Sequence, residues 1–210
     1  MLTSSDSLRL YAVTDRACLK GVSLETAVAE AIRGGVTLVQ LREKALDEEA
    51  FYKEAVRIKE ICDSRGIPLI INDNVGLCRR IGASGVHVGL SDMGVREARR
   101  LLGPGAIIGA TAHNLEEAVT AWQAGADYLG IGAAFGSATK TDASAFDIAN
   151  YNAITARVGI PVVAIGGINR HNLPQLTGRG LKGVAVVSGL FGAEDIAAEA
   201  AALLSLAESL

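Results

Sequence analysis

Short apolar runs rich in β-branched residues alternate with amphipathic stretches along the whole chain. In those stretches apolar residues recur at three- and four-residue intervals, as in helices with one buried face. Eight strands are predicted, at Leu8–Val13, Thr37–Leu41, Pro68–Ile71, Gly85–Val88, Ala106–Ala110, Tyr128–Gly132, Pro161–Ile165 and Gly183–Val187. Helices are predicted at Leu24–Arg33, Glu48–Arg65, Leu115–Ala124, Asn172–Thr177 and about Ala193–Leu206. The repeating unit is therefore strand, helix, strand.

Local signals agree with this periodicity. Asn114 precedes Leu115 and is followed by Glu117, the pattern of an N-cap with a capping-box glutamate. Eight parallel strands with helical crossovers form either an open doubly wound sheet or a closed barrel. Their regular spacing favours the α/β class with a (β/α)8 TIM barrel. Because no Pro/Ser-rich linker or charge block divides the 210 residues, we predict a single domain at 1–210.

Composition restricts the classes of partner. A formal net charge of -3 provides no global positive field for nucleic acid or an anionic membrane. No uncharged run approaches the roughly 18 residues of a membrane span. Cys18, Cys62 and Cys78 lack metal-binding spacing and are expected to be free thiols. We therefore expect a cytoplasmic protein with small-molecule substrates, in which any phosphate site is local.

Polar residues follow the predicted strands, and in a barrel the loops after the strands form one face. Strand alternation places Gln40, Arg42 and Lys44 on the same side of the second strand and its extension. An arginine fork and a mobile lysine charge can together hold a diphosphate. The alternative is that these are solvated loop charges.

Two carboxylates follow neighbouring strands. Asp73 comes after Asn72 at the end of the third strand, and Asp92 lies in the loop after the fourth. Mg²⁺ uses one or two protein carboxylates and takes its other ligands from water and substrate phosphates. Each aspartate alone is more typical of a helix N-cap or a turn. Their convergence with the cations predicts a Mg²⁺ site.

Glycine-containing loops follow the last three strands. The loop from Gly132 reaches two hydroxyls and an ammonium in the segment 137–140, which we expect to close over a phosphorylated substrate. Gly166-Gly167 and Ser188-Gly189 stand where such barrels bind phosphate through backbone N–H groups. Tight turns alone would also account for the glycines.

Six short motifs occur in order at the predicted strand ends: Tyr11-Ala12-Val13-Thr14-Asp15, Gln40-Leu41-Arg42-Glu43-Lys44, Ile71-Asn72-Asp73, Gly85-Val86-His87-Val88-Gly89 through Asp92, Thr139-Lys140 and Ala164-Ile165-Gly166-Gly167-Ile168. This ordered set resembles the thiamine-phosphate synthase family over nearly the whole chain. The resemblance implies condensation of 4-amino-2-methyl-5-hydroxymethylpyrimidine diphosphate with 4-methyl-5-(2-hydroxyethyl)thiazole phosphate, or its carboxylated form. The products would be thiamine phosphate and diphosphate.

The resemblance also implies roles for individual residues. The pyrimidine diphosphate would be held by Gln40, Arg42, Lys44, Asn72 and Lys140, with Mg²⁺ on Asp73 and Asp92. The remaining substrate-binding residues would be Thr111, Ser137, Thr139, Gly167, Val187 and Ser188, of which Gly167, Val187 and Ser188 bind the thiazole phosphate. Diphosphate would leave before the thiazole nitrogen attacks. Arg42, Lys44 and Lys140 would be catalytic because they stabilise the leaving charge.

The chain departs from the usual family pattern near the substrates. Leu90 stands where glutamine is usual, Thr111 replaces a serine, and Gly136-Ser137 replaces Pro-Thr. The diphosphate and metal residues are unchanged. These departures therefore affect the pyrimidine contacts and the loop.

Three alternatives remain at this stage. The thiazole tautomerase branch of the same barrel would use His113 as its acid/base group, although His113 also reads as a strand-end histidine bonded to backbone. A non-catalytic barrel would bind a phosphorylated ligand without turnover. Another phosphosugar enzyme would not need the two aspartates. His87, within the fourth strand, is expected to be structural and His171 to lie on a surface helix; self-association is expected without a defined oligomeric state.

Overall fold

The computed structural model describes residues 5–136 and 146–210. Its strands are β1 Leu10–Val13, β2 Leu38–Leu41, β3 Leu69–Asn72, β4 Gly85–Val88, β5 Ile107–Ala112, β6 Tyr128–Ile131, β7 Val162–Ile165 and β8 Gly183–Val186. The strands are parallel and follow one another around a closed barrel, in which Tyr11 of β1 pairs with Leu38 on one side and Ala185 on the other. The predicted (β/α)8 barrel is confirmed.

The α-helices within the described residues form the outer layer. They are α1 Leu24–Arg33, α2 Glu48–Asp63, α3 Val75–Ile81, α4 Val95–Leu102, α5 Leu115–Gln123, α6 Asn150–Arg157, α7 Ser188–Phe191 and α8 Ile196–Ala207. Short 3₁₀ helices occupy Ser5–Leu8, Arg16–Cys18 and Leu173–Leu176. Across 5–136 and 146–210, no helix is long and apolar enough to cross a membrane.

The predicted elements occur with shifted ends. The first strand begins at Leu10 because Leu8 closes a 3₁₀ helix, and the segment predicted at Asn172–Thr177 is also a 3₁₀ helix. The N-cap at Asn114 is confirmed, since its side chain accepts the Glu117 N–H at 2.9 Å. Glu117 in turn accepts the backbone N–H of His113 at 2.7 Å, which reaches one residue beyond the cap.

Strand alternation separates two apolar layers. On β1, Leu10 and Ala12 pack outward against the helices, whereas Tyr11 and Val13 face the barrel interior. The interior cluster consists of Leu8, Tyr11, Val13, Leu38, Ile70, Ile107, Tyr128, Val163 and Ala185. Because successive side chains alternate, polar residues two positions further along the same strands face inward above this cluster. This alternation is what builds a polar cavity at the mouth.

Candidate active site

A cavity opens at the carboxyl ends of the strands, and every strand contributes to its lining. The predicted residues that line it are Gln40, Arg42, Asn72, Thr111, Gly167, Val187 and Ser188. They are far apart in sequence, and the parallel barrel brings them to one mouth as expected. His113 also lines the cavity.

Arg42 is held from the side of β1. Its Nη1 donates to Asp15 Oδ2 at 3.2 Å, and its backbone N–H donates to Thr14 Oγ1 at 2.9 Å. Only 11% of the Arg42 side chain and 16% of the Asp15 side chain are exposed. The guanidinium therefore keeps a fixed position at the cavity wall, where its other N–H groups can serve an anion.

A second ion-pair cluster anchors the loop that carries Arg42 and Lys44. Glu43 accepts Arg16 Nε at 2.6 Å and the backbone N–H groups of Lys44 and Ala45 at 2.8 and 3.0 Å. Burial alone would raise the pKa of Glu43, but these donors hold that pKa below its usual value. Arg16 also pairs with the buried Glu54 of α2. These contacts with Arg16 and α2 hold the loop in place.

Three predicted residues lie on exposed loops of the same face, after β2, β3 and β4. Lys44, Asp73 and Asp92 are exposed and are not among the described residues that line the cavity. β2 ends at Leu41, and contact with the β1 segment continues only as far as Arg42, whose N–H donates to Thr14, so the alternation does not extend to Lys44. Asp92 Oδ2 accepts the backbone N–H of Gly89 at 2.8 Å, which fixes this carboxylate in its loop.

Asp73 has an unusual backbone conformation. Its φ is 60°, in the left-handed region that is costly for residues other than glycine. Its N–H donates to the His87 carbonyl at 2.8 Å, and Asn72 Nδ2 donates to its Oδ2 at 2.5 Å. The left-handed turn therefore fixes this carboxylate at the mouth, beside Asn72.

The carboxylates fit Mg²⁺ better than a metal held by protein alone. In the part of the chain that the structure describes, no three His, Cys, Asp or Glu side chains form a metal cluster. Asp73 and Asp92 lie on loops after adjacent strands and offer only hard oxygen ligands. Mg²⁺ accepts such a small set, completing its shell with water and phosphate oxygens.

The loops after β7 and β8 border the cavity through Gly167, Val187 and Ser188. Gly167 has φ 64°, and a Cβ there would lie 2.6 Å from the Phe135 carbonyl oxygen. The glycine therefore lets the β7 loop pack on the β6 loop, in addition to exposing backbone at the cavity. Apolar Val163, Ile165 and Ala185 form the wall below.

Sequence reasoning missed a buried polar chain beneath the cavity. Gln40 Nε2 donates to the Tyr11 hydroxyl at 2.5 Å, and the Tyr11 and Tyr128 hydroxyls lie 2.7 Å apart. Tyr128 lies 3.0 Å from His87 Nδ1, and His87 Nε2 lies 3.0 Å from Thr111 Oγ1. Burial raises the pKa of both tyrosines, which keeps both phenols protonated.

The histidines differ from expectation in three ways. His87 is buried as predicted for a strand residue, but it also lines the cavity. The alternation in Gly85-Val86-His87-Val88 indicates this position, because the two valines face outward and His87 must face inward. His113 Nδ1 lies 3.2 Å from Glu117 Oε2 instead of bonding to backbone. His171 is exposed, but it lies in a turn rather than in a helix.

Three predicted site residues lie outside the described part of the chain: Ser137, Thr139 and Lys140.

The family model and the relatives at 34% identity or more indicate one family. A family model described as thiamine monophosphate synthase matches residues 10–190. The chain is similar to the thiamine-phosphate synthases of Ruminiclostridium cellulolyticum, at 46% identity over 94% of both chains, and of Clostridium acetobutylicum, at 47% identity over 90% of this chain and 89% of that one. The solved thiamine phosphate pyrophosphorylase of Pyrococcus furiosus superposes with a TM-score of 0.89 at 34% identity, covering 97% of each chain.

Proposed function

This chain belongs to the thiamine monophosphate synthase family and is a transferase that forms thiamine phosphate, and we propose that it does so by a dissociative route. An aminopyrimidine diphosphate loses its diphosphate, and the thiazole phosphate nitrogen then attacks the remaining pyrimidine methylene cation. The observation that carries this proposal is one cavity lined both by Arg42, after β2, and by the loops after β7 and β8. Two phosphorylated substrates can therefore bind in the same cavity.

Arg42 is the central residue of the proposed diphosphate end. Its ion pair with Asp15 holds the guanidinium still, so charge stabilisation needs little reorganisation when diphosphate leaves. Gln40 and Asn72 line the same side and would hold the pyrimidine portion. Lys44, on the anchored loop, and Lys140 would add positive charge for the leaving group. No protein nucleophile is required.

Asp73 and Asp92 would hold Mg²⁺ in this proposal. The bound ion would neutralise charge on the departing diphosphate. The left-handed turn at Asp73 and the Gly89 N–H bond to Asp92 support the assignment, because both carboxylates are held on adjacent loops of the same barrel face before substrate arrives.

Gly167, Val187 and Ser188 would bind the thiazole phosphate, and Thr111 would contact the pyrimidine. The apolar wall of Val163, Ile165 and Ala185 supports the cation step, because it keeps water from the reacting carbon. Closure between the substrates by Ser137 and Thr139, a cytoplasmic location and self-association are further predictions of this proposal.

A second candidate is the tautomerase reaction of the same fold. It is favoured by His113, which lines the cavity and has the Glu117 carboxylate beside its Nδ1. Such a reaction needs neither a diphosphate site nor the two aspartates. Loss of a tautomerase activity in His113→Ala, with no synthase activity in wild type, would favour it.

The proposed reaction is tested by product formation from the two phosphorylated substrates, with Mg²⁺ or with EDTA. We expect metal-dependent thiamine phosphate from wild type and from Asp63→Ala, a control on the exposed face of α2. Asp73→Ala should lose most of that activity. Full thiamine phosphate formation by Asp73→Ala would show that this carboxylate does not hold the metal. No thiamine phosphate from wild type would indicate another phosphosugar reaction, and binding without any product would indicate a non-catalytic barrel.

A further inference from the structure

The polar chain beneath the cavity connects two residues that face the substrate. Gln40 and Thr111 are the two ends of this chain and line the cavity, and Tyr11 and Tyr128 between them are almost completely buried. His87 joins Tyr128 to Thr111 through its two ring nitrogens, each at 3.0 Å. Whether Gln40 donates or accepts at one end of the chain therefore determines whether Thr111 accepts or donates at the other.

The orientation of the Gln40 amide selects one direction for the whole chain of hydrogen bonds. Gln40 Nε2 donates to Tyr11, Tyr11 donates to Tyr128, Tyr128 donates to His87 Nδ1, and His87 Nε2–H donates to Thr111 Oγ1. Every proton along this path then has an acceptor. With the amide in the same orientation, the reverse direction turns the Tyr11 proton toward the Gln40 N–H and leaves a buried donor unsatisfied.

We call the chain Gln40–Tyr11–Tyr128–His87–Thr111 the relay. Its rings are packed too tightly to move, so the positions of its protons are the main feature that can change. The Tyr11 and Tyr128 rings meet edge to face, with centroids 5.8 Å apart and an interplanar angle of 77°. A side chain at Gly109 would overlap both Tyr128 and His87, and one at Gly130 would come within 3.2 Å of His87 Cε1. The neighbouring strands therefore make room for these rings and no more.

We propose that this relay fixes His87 as its Nε2–H tautomer and thereby makes the site select a 4-aminopyrimidine over a 4-oxopyrimidine. The proposal rests on the proposed function, and it makes His87 and Tyr128 positioning residues for specificity. In the favoured direction, Gln40 presents its carbonyl oxygen to the cavity and Thr111 presents its O–H. An aminopyrimidine offers the matching amino N–H donor and ring-nitrogen acceptor.

A 4-oxopyrimidine presents the opposite pattern at the same edge, a carbonyl acceptor beside a ring N–H donor. To match it, Gln40 must turn its amino group to the cavity and its oxygen to Tyr11. Each bond in the relay then reverses, His87 moves to its Nδ1–H tautomer, and the Thr111 proton turns away from the cavity. Accommodating the oxo compound therefore requires a coordinated change in five residues, including a new His87 tautomer, whereas a lone glutamine would need only an amide flip.

The tautomer is read directly by ¹⁵N NMR of histidine-labelled protein, with His87→Gln identifying the His87 signals. We expect a protonated Nε2 and an unprotonated Nδ1. A protonated Nδ1, alone or together with Nε2, would overturn the assignment of direction.

Specificity is read by calorimetric binding of the 4-amino and 4-oxo pyrimidine diphosphates. We expect the preference for the amino compound to fall about tenfold or more in Tyr128→Phe. The matched control is Tyr151→Phe, which removes a buried hydroxyl that donates to the Ile131 carbonyl at 2.8 Å outside the relay. An unchanged preference in Tyr128→Phe would overturn the proposal, as would an equal fall in Tyr151→Phe.

Thr111→Val provides a second variant if Tyr128→Phe does not fold, because it keeps a β-branched side chain of similar size and removes only the terminal hydroxyl. It should lower the same preference. Failure of the proposed function gives a distinct result: wild type would bind neither pyrimidine diphosphate. Equal binding of the two compounds by wild type would reject the relay while leaving the proposed function intact.

Discussion

Arg42 Nη1 lies 3.2 Å from Asp15 Oδ2, so the guanidinium at the cavity wall is already paired before any anion binds. A planar fork can keep this contact and still present N–H groups to a phosphate, whereas a lysine ammonium acts as a single point charge. The geometry therefore makes arginine and lysine unequal at this position, although both carry one positive charge.

We expect Arg42→Lys to raise the KM for the pyrimidine diphosphate about tenfold to a hundredfold, since charge-assisted hydrogen bonds contribute roughly 1.5–3 kcal/mol. Steady-state kinetics with each substrate varied in turn measures this. Arg33→Lys, at the exposed pair with Glu30 on α1, is the control and should leave both KM values unchanged. An unaltered KM in Arg42→Lys would contradict a bidentate role.

Because Asp73 has a left-handed backbone conformation, two substitutions there should differ in stability but not in activity. Asp73→Gly and Asp73→Ala both remove the carboxylate, but only alanine must keep a Cβ at φ 60°. We expect the glycine variant to be more stable than the alanine variant by about 1–2 kcal/mol. Both should lose Mg²⁺-dependent activity to the same extent. Urea unfolding measures the difference, and equal free energies of unfolding would show that the turn relaxes.

The depressed pKa of Glu43 predicts the direction of a pH effect on stability. A carboxyl group whose pKa is lower in the folded state stabilises the fold above its unfolded pKa, and this contribution is lost as pH falls through the folded value. Glu43→Gln should therefore lower Tm at neutral pH and have less effect in acid. Thermal unfolding across that pH range tests it, with the exposed Glu60→Gln of α2 as control. A Tm loss that does not depend on pH would argue against the ion pair.

Strand alternation accounts for how much could be predicted. It predicted that Gln40 and Arg42 share one side, and both line the cavity; Lys44 lies three residues beyond the end of β2 at Leu41 and does not. The contacts of Arg16 with Glu43 and Glu54 connect three elements, and no local spacing rule predicts such contacts.

The relay was missed for a different reason. Tyr11 and Tyr128 fit the apolar pattern of buried strands, so nothing in the sequence marks their hydroxyls as a connected pair. The sequence does carry a signal for His87, since alternation turns it inward, but a histidine inside a strand is equally typical of a structural residue.

Two glycines in the left-handed conformation allow a matched test of the proposed thiazole phosphate site. Gly167 and Gly178 have φ values of 64° and 76°, but a Cβ at Gly167 would press on the Phe135 carbonyl, whereas nothing lies within 4 Å of one at Gly178. Alanine at either position costs about 1–2 kcal/mol of backbone strain. Only Gly167→Ala should also displace the β6 loop and raise the KM for the thiazole phosphate, about tenfold, while the KM for the pyrimidine diphosphate stays within about twofold. Steady-state kinetics with each substrate varied in turn measures both KM values. Equal KM changes in Gly167→Ala and Gly178→Ala would show that Gly167 serves only the turn.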